Sequence, residues 1–187
     1  MKIGDLVCLY LILCISFLSV SSKLFNLKQT PKDPKYDAYC KENGGVVLTN
    51  VMKFDTKSGE VDGYIAEFCE IESNFNLGMI GLETLASTLP SLAATYIKLL
   101  TIDTKKPIIG PYSQPAVNLC QALGGSCINF HHDGGFYDDR GFSGLCYFGD
   151  GSHVATWTLY YIGIGGRDDI KNLIRAEPLA INIPVIQ

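Results

Sequence analysis

A cysteine followed four residues later by a glycine pair occurs twice in this chain, at Cys40 with Gly44-Gly45 and at Cys120 with Gly124-Gly125. A second cysteine follows each, Cys69 after 29 residues and Cys146 after 26, with Gly63 and Gly144 shortly before them. Self-similarity of this kind constrains a fold more than any single motif, because both copies must satisfy the same geometry. In this reading the first cysteine lies on the buried face of a short helix. The glycine pair turns the chain back onto a sheet, where the second cysteine waits in a strand facing the helix. A bridge between them pins helix to sheet. Closing a loop of about 27–30 residues is worth about 3–4 kcal/mol in the chain-entropy model. A unit of about fifty to seventy residues has a small core and benefits from such a staple. The expected pairs are Cys40–Cys69 and Cys120–Cys146, which leaves Cys127 unpaired. The alternative is pairing across the repeats, such as Cys40 with Cys120.

The pairing needs an oxidising compartment, and the N-terminus supplies one. Leu6 to Val20 carries no charge and is followed by Ser21, Ser22 and Lys23. Fifteen helical residues rise about 22 Å, short of the roughly 30 Å hydrocarbon core. Residues 1–22 read as a secretory signal peptide, with an uncleaved membrane anchor as the alternative. Cys8 and Cys14 leave with it. The composition, 47% hydrophobic and 18% charged, is too rich in core material for a disordered chain. A net charge of −4 argues against a nucleic-acid binder.

The chain divides into residues 1–22, a first repeat with an insert over 23–102, a linker over 103–113, and a second repeat with a C-terminal helix and tail over 114–187. Asp33-Pro34 starts a helix that Gly44-Gly45 stops. Val46 to Thr49 and Val61 to Ile71 read as strands around a turn at Lys57 to Glu60. From Asn76 to Leu100 the only charges are Glu83 and Lys98. Leu82, Leu85, Ala86 and Leu89, then Leu92, Ala93, Tyr96, Ile97 and Leu100, fall at helical spacing, interrupted by Pro90. This stretch reads as a broken helix or helical hairpin packed on a sheet, with a membrane-inserting hairpin as the alternative. In the second repeat a helix starts at Pro115. Strands follow over Ser126–Phe130, Gly141–Phe148 and His153–Ile164, the last with Trp157, Leu159 and Tyr161 on one face. Arg167 to Ala176 reads as a short helix. The expected fold is α+β: two diverged, disulfide-stapled helix-plus-antiparallel-sheet repeats with an apolar helical insert between them.

The second repeat carries Gln114-Pro115-Ala116, Cys120 with Gly124-Gly125, Asp133-Gly134-Gly135, Gly144-Leu145-Cys146, Gly149-Asp150-Gly151-Ser152 and Trp157-Thr158-Leu159-Tyr160. In this combination it resembles the small domain of unknown function, found in bacterial secreted proteins and lipoproteins, that often bears a haemolysin label. The resemblance spans about residues 114–161, with a weaker copy over about 34–71. Two further cysteines usual in that family are missing together: Val154 stands at the first place, and no cysteine follows Cys146. Gly149 replaces a usual proline. The label implies no mechanism, and lytic activity is not transferred with it.

Cys127 with His131, His132 and Asp133 lacks the spacing of a closed tetrahedral metal site. Asp133, Asp138, Asp139 and Asp150 lack the alternating spacing of a calcium loop. Cys127 with His131, His132 or His153 would need a depressed thiol pKa and a positioned base. Gly141-Phe142-Ser143-Gly144-Leu145 has leucine where a nucleophile elbow ends in glycine. Gly163-Ile164-Gly165-Gly166 reads as a turn after the last strand. The expected function is a secreted, non-catalytic, disulfide-stabilised binding module for a protein or other extracellular ligand, with no metal, cofactor or nucleic acid. The alternatives are a membrane-associated or membrane-active protein, anchored by residues 1–22 or 76–100, and an inhibitor of a secreted hydrolase.

Overall fold

The computed structural model describes residues 33–73, 76–132, 135–136, 144–184 and 186. The signal-peptide reading of residues 1–22 therefore lies outside the described residues. Helix α1 (Pro34–Glu42) begins where Asp33 accepts the Lys35 N–H at 3.0 Å and proline occupies the first turn. Strands β1 (Val46–Thr56) and β2 (Gly59–Ser73) form a long antiparallel hairpin, and β3 (Asn76–Gly81) pairs along the end of β2. Two short helices follow, α2 (Leu82–Ala86) and α3 (Leu92–Leu99). The second half contains α4 (Pro115–Ala122), β4 (Ser126–His132), β5 (Gly135–Phe136), β6 (Leu145–Tyr147), β7 (His153–Ala155), α5 (Thr156–Gly163) and α6 (Asp168–Lys171).

The strands run in the order β1-β2-β3-β7-β6-β4-β5, all antiparallel, and β1 also pairs with β4. The sheet thus curls until six strands close on themselves, with β5 attached to the outer end of β4. A bulge between Val51 and Lys53 interrupts the β1–β2 register where β1 turns to meet β4. The extra residue belongs to β2, where Gly63 and Tyr64 stand against the single residue Met52, and a bulge of this kind increases the local twist that a closing sheet needs.

Alternation along the strands gives two cores. Met52, Ala66, Phe68, Leu77, Met79, Ile128, Leu145 and Ala155 pack together on one face, with Leu48, Tyr147 and Trp157 against them. Their strand neighbours Cys69, Ile71, Ile80, Cys146, Phe148 and Val154 face the other way. There they meet helical residues that include Cys40, Leu85, Ile97, Leu119, Leu159 and Ile162. The fold is α+β, with helices over one face of a curled antiparallel sheet.

The junction of β3 with β7 is reciprocal. Ile80 pairs with Val154. The Met79 N–H donates to Thr158 Oγ1 at 2.9 Å, and the His153 N–H donates to Thr84 Oγ1 at 3.2 Å. Each threonine stands four residues after the paired residue of its own strand.

Two stretches differ in kind from the sequence expectation, and the helix read over Arg167 to Ala176 is confined to Asp168–Lys171. Asn76 to Gly81 is a strand rather than the start of a helical insert. Leu77, Gly78, Met79 and Ile80 are all buried, and a strand buried on both faces shows no alternation to read. His153 to Ile164 is a three-residue strand and then a helix. β-Branched and aromatic residues made the segment read as extended, but Leu159, Ile162 and Gly163 are buried at helical spacing. The break at Pro90 falls between α2 and α3, leaving Leu89 71% exposed in the turn. Of the apolar residues of α3, Ala93, Ala94, Tyr96 and Ile97 are buried in the protein's own core, while Leu99 is exposed. Among the described residues no helix is long and apolar enough to cross a membrane.

Candidate functional site

Both cysteine pairs are joined at the ends of the same local path. Cys40 bonds Cys69 with 5.8 Å between Cα atoms, and Cys120 bonds Cys146 with 5.5 Å. All four are fully buried. Gly44 and Gly124 adopt φ of +78° and +79°, the left-handed conformation that ends a helix. The next residue's N–H returns to the cysteine carbonyl, Gly45 to Cys40 and Gly125 to Cys120, each at 2.9 Å. A methyl group on Gly45 would fall on the Cys69 sulfur, and one on Gly125 on the Cys146 sulfur. The two glycines of each pair therefore serve different ends: the first supplies a backbone angle, and the second leaves space for the bridge.

Cys127 is the free cysteine among the described residues. It lies directly opposite Cys146 in the β4–β6 ladder, where Val47 lies opposite Cys69 in the β1–β2 ladder. Burial pushes its thiol up to about 11, so the thiol stays protonated at neutral pH, the reverse of an activated nucleophile. Its register puts it on the same face as Cys146 and Val154. His153 faces the opposite way, between the rings of Phe68 at 5.0 Å and Tyr147 at 5.8 Å. Its Nδ1–H donates to the Gly151 carbonyl at 3.0 Å, and burial holds its pKa below the ordinary histidine value. The sheet thus separates Cys127 from the one histidine whose side chain is described. His131 and His132 lie in β4, with His131 paired to Val51 and both paired into β5. Asp133, Asp138, Asp139 and the segment Gly141 to Ser143 lie outside the described residues. The glycines after Ile162 end helix α5 rather than a strand, with Gly165 at φ +80°.

Asp150 is engaged by backbone. Its Oδ2 accepts the Leu92 N–H at 2.7 Å, and Oδ1 accepts both the N–H and the hydroxyl of Ser152 at 3.0 and 2.6 Å. The Ser152 hydroxyl oxygen accepts the Ala93 N–H at 2.9 Å, and Ser91 Oγ accepts the Ala94 N–H at 3.3 Å. Three successive donors of the first turn of α3 are thereby satisfied, two of them from a loop 58 and 59 residues away. Burial opposes the charge on Asp150, but the bonds from Ser152 and Leu92 outweigh it and hold the carboxyl below its ordinary value. The sequence signal was Gly149-Asp150-Gly151-Ser152, whose capping role depends on a helix far away in the chain.

A second arrangement centres on Asn118. Residues 103–113, expected as a linker, are held from beneath by Asn118 of α4, which is only 5% exposed. The Asn118 amide nitrogen donates to the carbonyls of Tyr112 at 2.9 Å and Ile108 at 3.5 Å, and its Oδ1 accepts the Tyr112 N–H at 3.1 Å. Gly110 lies against the same amide, leaving no room for a side chain. Residues 107–109 run without a bend, and 110–113 turn. Ile109 is 78% exposed and Tyr112 50% exposed. A lone asparagine in an otherwise apolar helix face, just after a Pro- and Gly-rich segment, was the available signal. Among protein-family models, curated proteins and solved structures, none matches this chain.

Proposed function

We propose that this chain is an extracellular, disulfide-stapled binding module, built from two diverged copies of one helix-plus-sheet unit and working without catalysis. The observation that carries the reading is the pair of buried bridges with matching corners. Bridges of this kind persist in oxidising compartments and stabilise units with small cores. The two-copy origin is supported by positions that correspond in offset and also meet in space. Val51 and His131, each eleven residues after its helical cysteine, pair where β1 meets β4. Ile80 and Val154, the ladder partners of Cys69 and Cys146, pair where β3 meets β7. Thr84 and Thr158 then exchange equivalent hydrogen bonds across that junction. On this reading β3 is the last strand of the first copy, as β7 is of the second. The resemblance of residues 114–161 to the haemolysin-labelled secreted domain points the same way and adds no activity.

The test is expression of the full chain in a secreting cell. Soluble protein in the medium, beginning near Lys23 and carrying two bridges, is the expected result. Protein that stays with membranes after alkaline extraction, or that accumulates inside the cell with all cysteines reduced, contradicts the reading.

A further inference from the structure

We propose that residues 107–113 form a substrate-like loop that enters the active-site cleft of a secreted endopeptidase, with Ile109 filling a pocket selective for aliphatic side chains. The proposal rests on the reading of the chain as a secreted binding module and names the class of its partner. The side chains alternate in role. Ile108 packs on the core while Ile109 projects into solvent. The backbone on either side of Ile109 is tied from within, at the Ile108 carbonyl and at both polar groups of Tyr112, by the single buried amide of Asn118. Pro107 and Pro111 fix their own φ angles and remove two donors from the segment. The helix that carries Asn118 is stapled two residues later by Cys120–Cys146.

The result is a short exposed stretch of chain, without a bend over 107–109 and tied to the helix beneath it before any partner arrives. Rigidity of this sort lowers the ordering cost of association. An exposed aliphatic tip on a clamped backbone does not fit a flat apolar interface, which needs a broader face. It matches a concave cleft that grips extended backbone and reads one protruding side chain, which is how an endopeptidase holds its substrate. A flexible loop of the same sequence would be cut and released. This loop is tied on both sides of Ile109, so its ends stay together in the cleft and it occupies the enzyme instead of being consumed. The bond after Ile109 is the one presented, because a bond before Pro111 lacks the following N–H.

The test uses the intact mature protein against three secreted-type serine endopeptidases, preferring small aliphatic, aromatic and basic side chains respectively. Inhibition of the aliphatic-preferring enzyme at near-stoichiometric ratio is expected, with any slow cut falling after Ile109. Ile109→Lys, an exposed substitution that leaves the fold intact, is expected to move inhibition to the basic-preferring enzyme and to weaken the original by at least tenfold. Asn118→Ala is expected to turn the loop into an ordinary substrate, cut at least tenfold faster. Absence of inhibition across the three enzymes, rapid cutting of the unsubstituted loop, or an Ile109→Lys variant with unchanged selectivity overturns the proposal. In each of those cases a protein that is still exported with both bridges intact leaves the module reading standing, so the two failures are told apart.

Discussion

At the first corner Cys69 lies opposite Val47, in a ladder between strands of 11 and 15 residues. At the second, Cys146 lies opposite Cys127, between strands of 7 and 3 residues. The helix ends, glycine angles and return hydrogen bonds are nearly superimposable in number. What the two corners share is therefore what the staple itself demands: two cysteines, one residue with positive φ, and one residue without a side chain. What differs is the surrounding support. The first corner hangs on a long hairpin that can hold register by itself. The second joins short strands with fewer ladder pairs of their own, beside the cap that Asp150 and Ser152 place on α3. Valine at the place of Cys127 also teaches that this ladder position wants a small apolar filler, which the protonated thiol provides.

Four sets of substitutions probe this contrast, in order of decreasing cost. Removing the second bridge with Cys120→Ala and Cys146→Ala should cost about 3–5 kcal/mol, within the usual range for a small secreted domain. Removing the first with Cys40→Ala and Cys69→Ala should cost less, about 2–3 kcal/mol, because the long hairpin retains its ladder. Denaturant melts of the two double variants measure both, and equal or reversed losses would refute the asymmetry. Next come the glycines. Gly45→Ala and Gly125→Ala force a methyl group onto a bridge and should cost about 2–3 kcal/mol each. Gly44→Ala and Gly124→Ala face only the left-handed angle and should cost about 1–2 kcal/mol. The ranking within each pair is read from thermal midpoints.

Asp150→Ala comes third and should cost about 1 kcal/mol, the usual worth of a helix cap. The pH dependence has a definite sign. The folded carboxyl titrates below its unfolded value of about 3.9. The unfolded chain therefore takes up the proton first as pH falls. The contribution of Asp150 is complete above the unfolded value and is lost as pH drops through the folded one. Acid titration of stability should show a shallower loss over that window in the variant than in the parent. Last, Cys127→Val recreates the first corner's residue at the second. It should change stability by less than about 1 kcal/mol and leave both bridges in place. Thiol labelling of the parent should be slow in the folded state and fast once it is unfolded.

The parts legible in the sequence were those with local causes. Asp33-Pro34 at a helix start, glycine pairs at two helix ends and the cysteine spacings are short-range chemistry, and they named the corners. Strand β3 was hidden because it is buried on both faces, so Leu77, Met79 and Ile80 offered no period of two. Helix α5 was hidden because Trp157, Tyr160 and Tyr161 have high strand propensity, and packing of Leu159 and Ile162 overrode it. The cap by Asp150 and the clamp by Asn118 depend on partners brought near by the fold. Spacing along the chain carries no trace of them, although each polar residue stood in the sequence beside a proline- or glycine-rich turn.

Peptide mapping of the mature protein under non-reducing conditions reads the bridge pattern itself. One peptide pair joined through Cys40 and Cys69 and another through Cys120 and Cys146 are expected, with Cys127 recovered as a free thiol. A peptide joining Cys40 to Cys120, or one in which Cys127 takes the place of either partner in the second bridge, would contradict it.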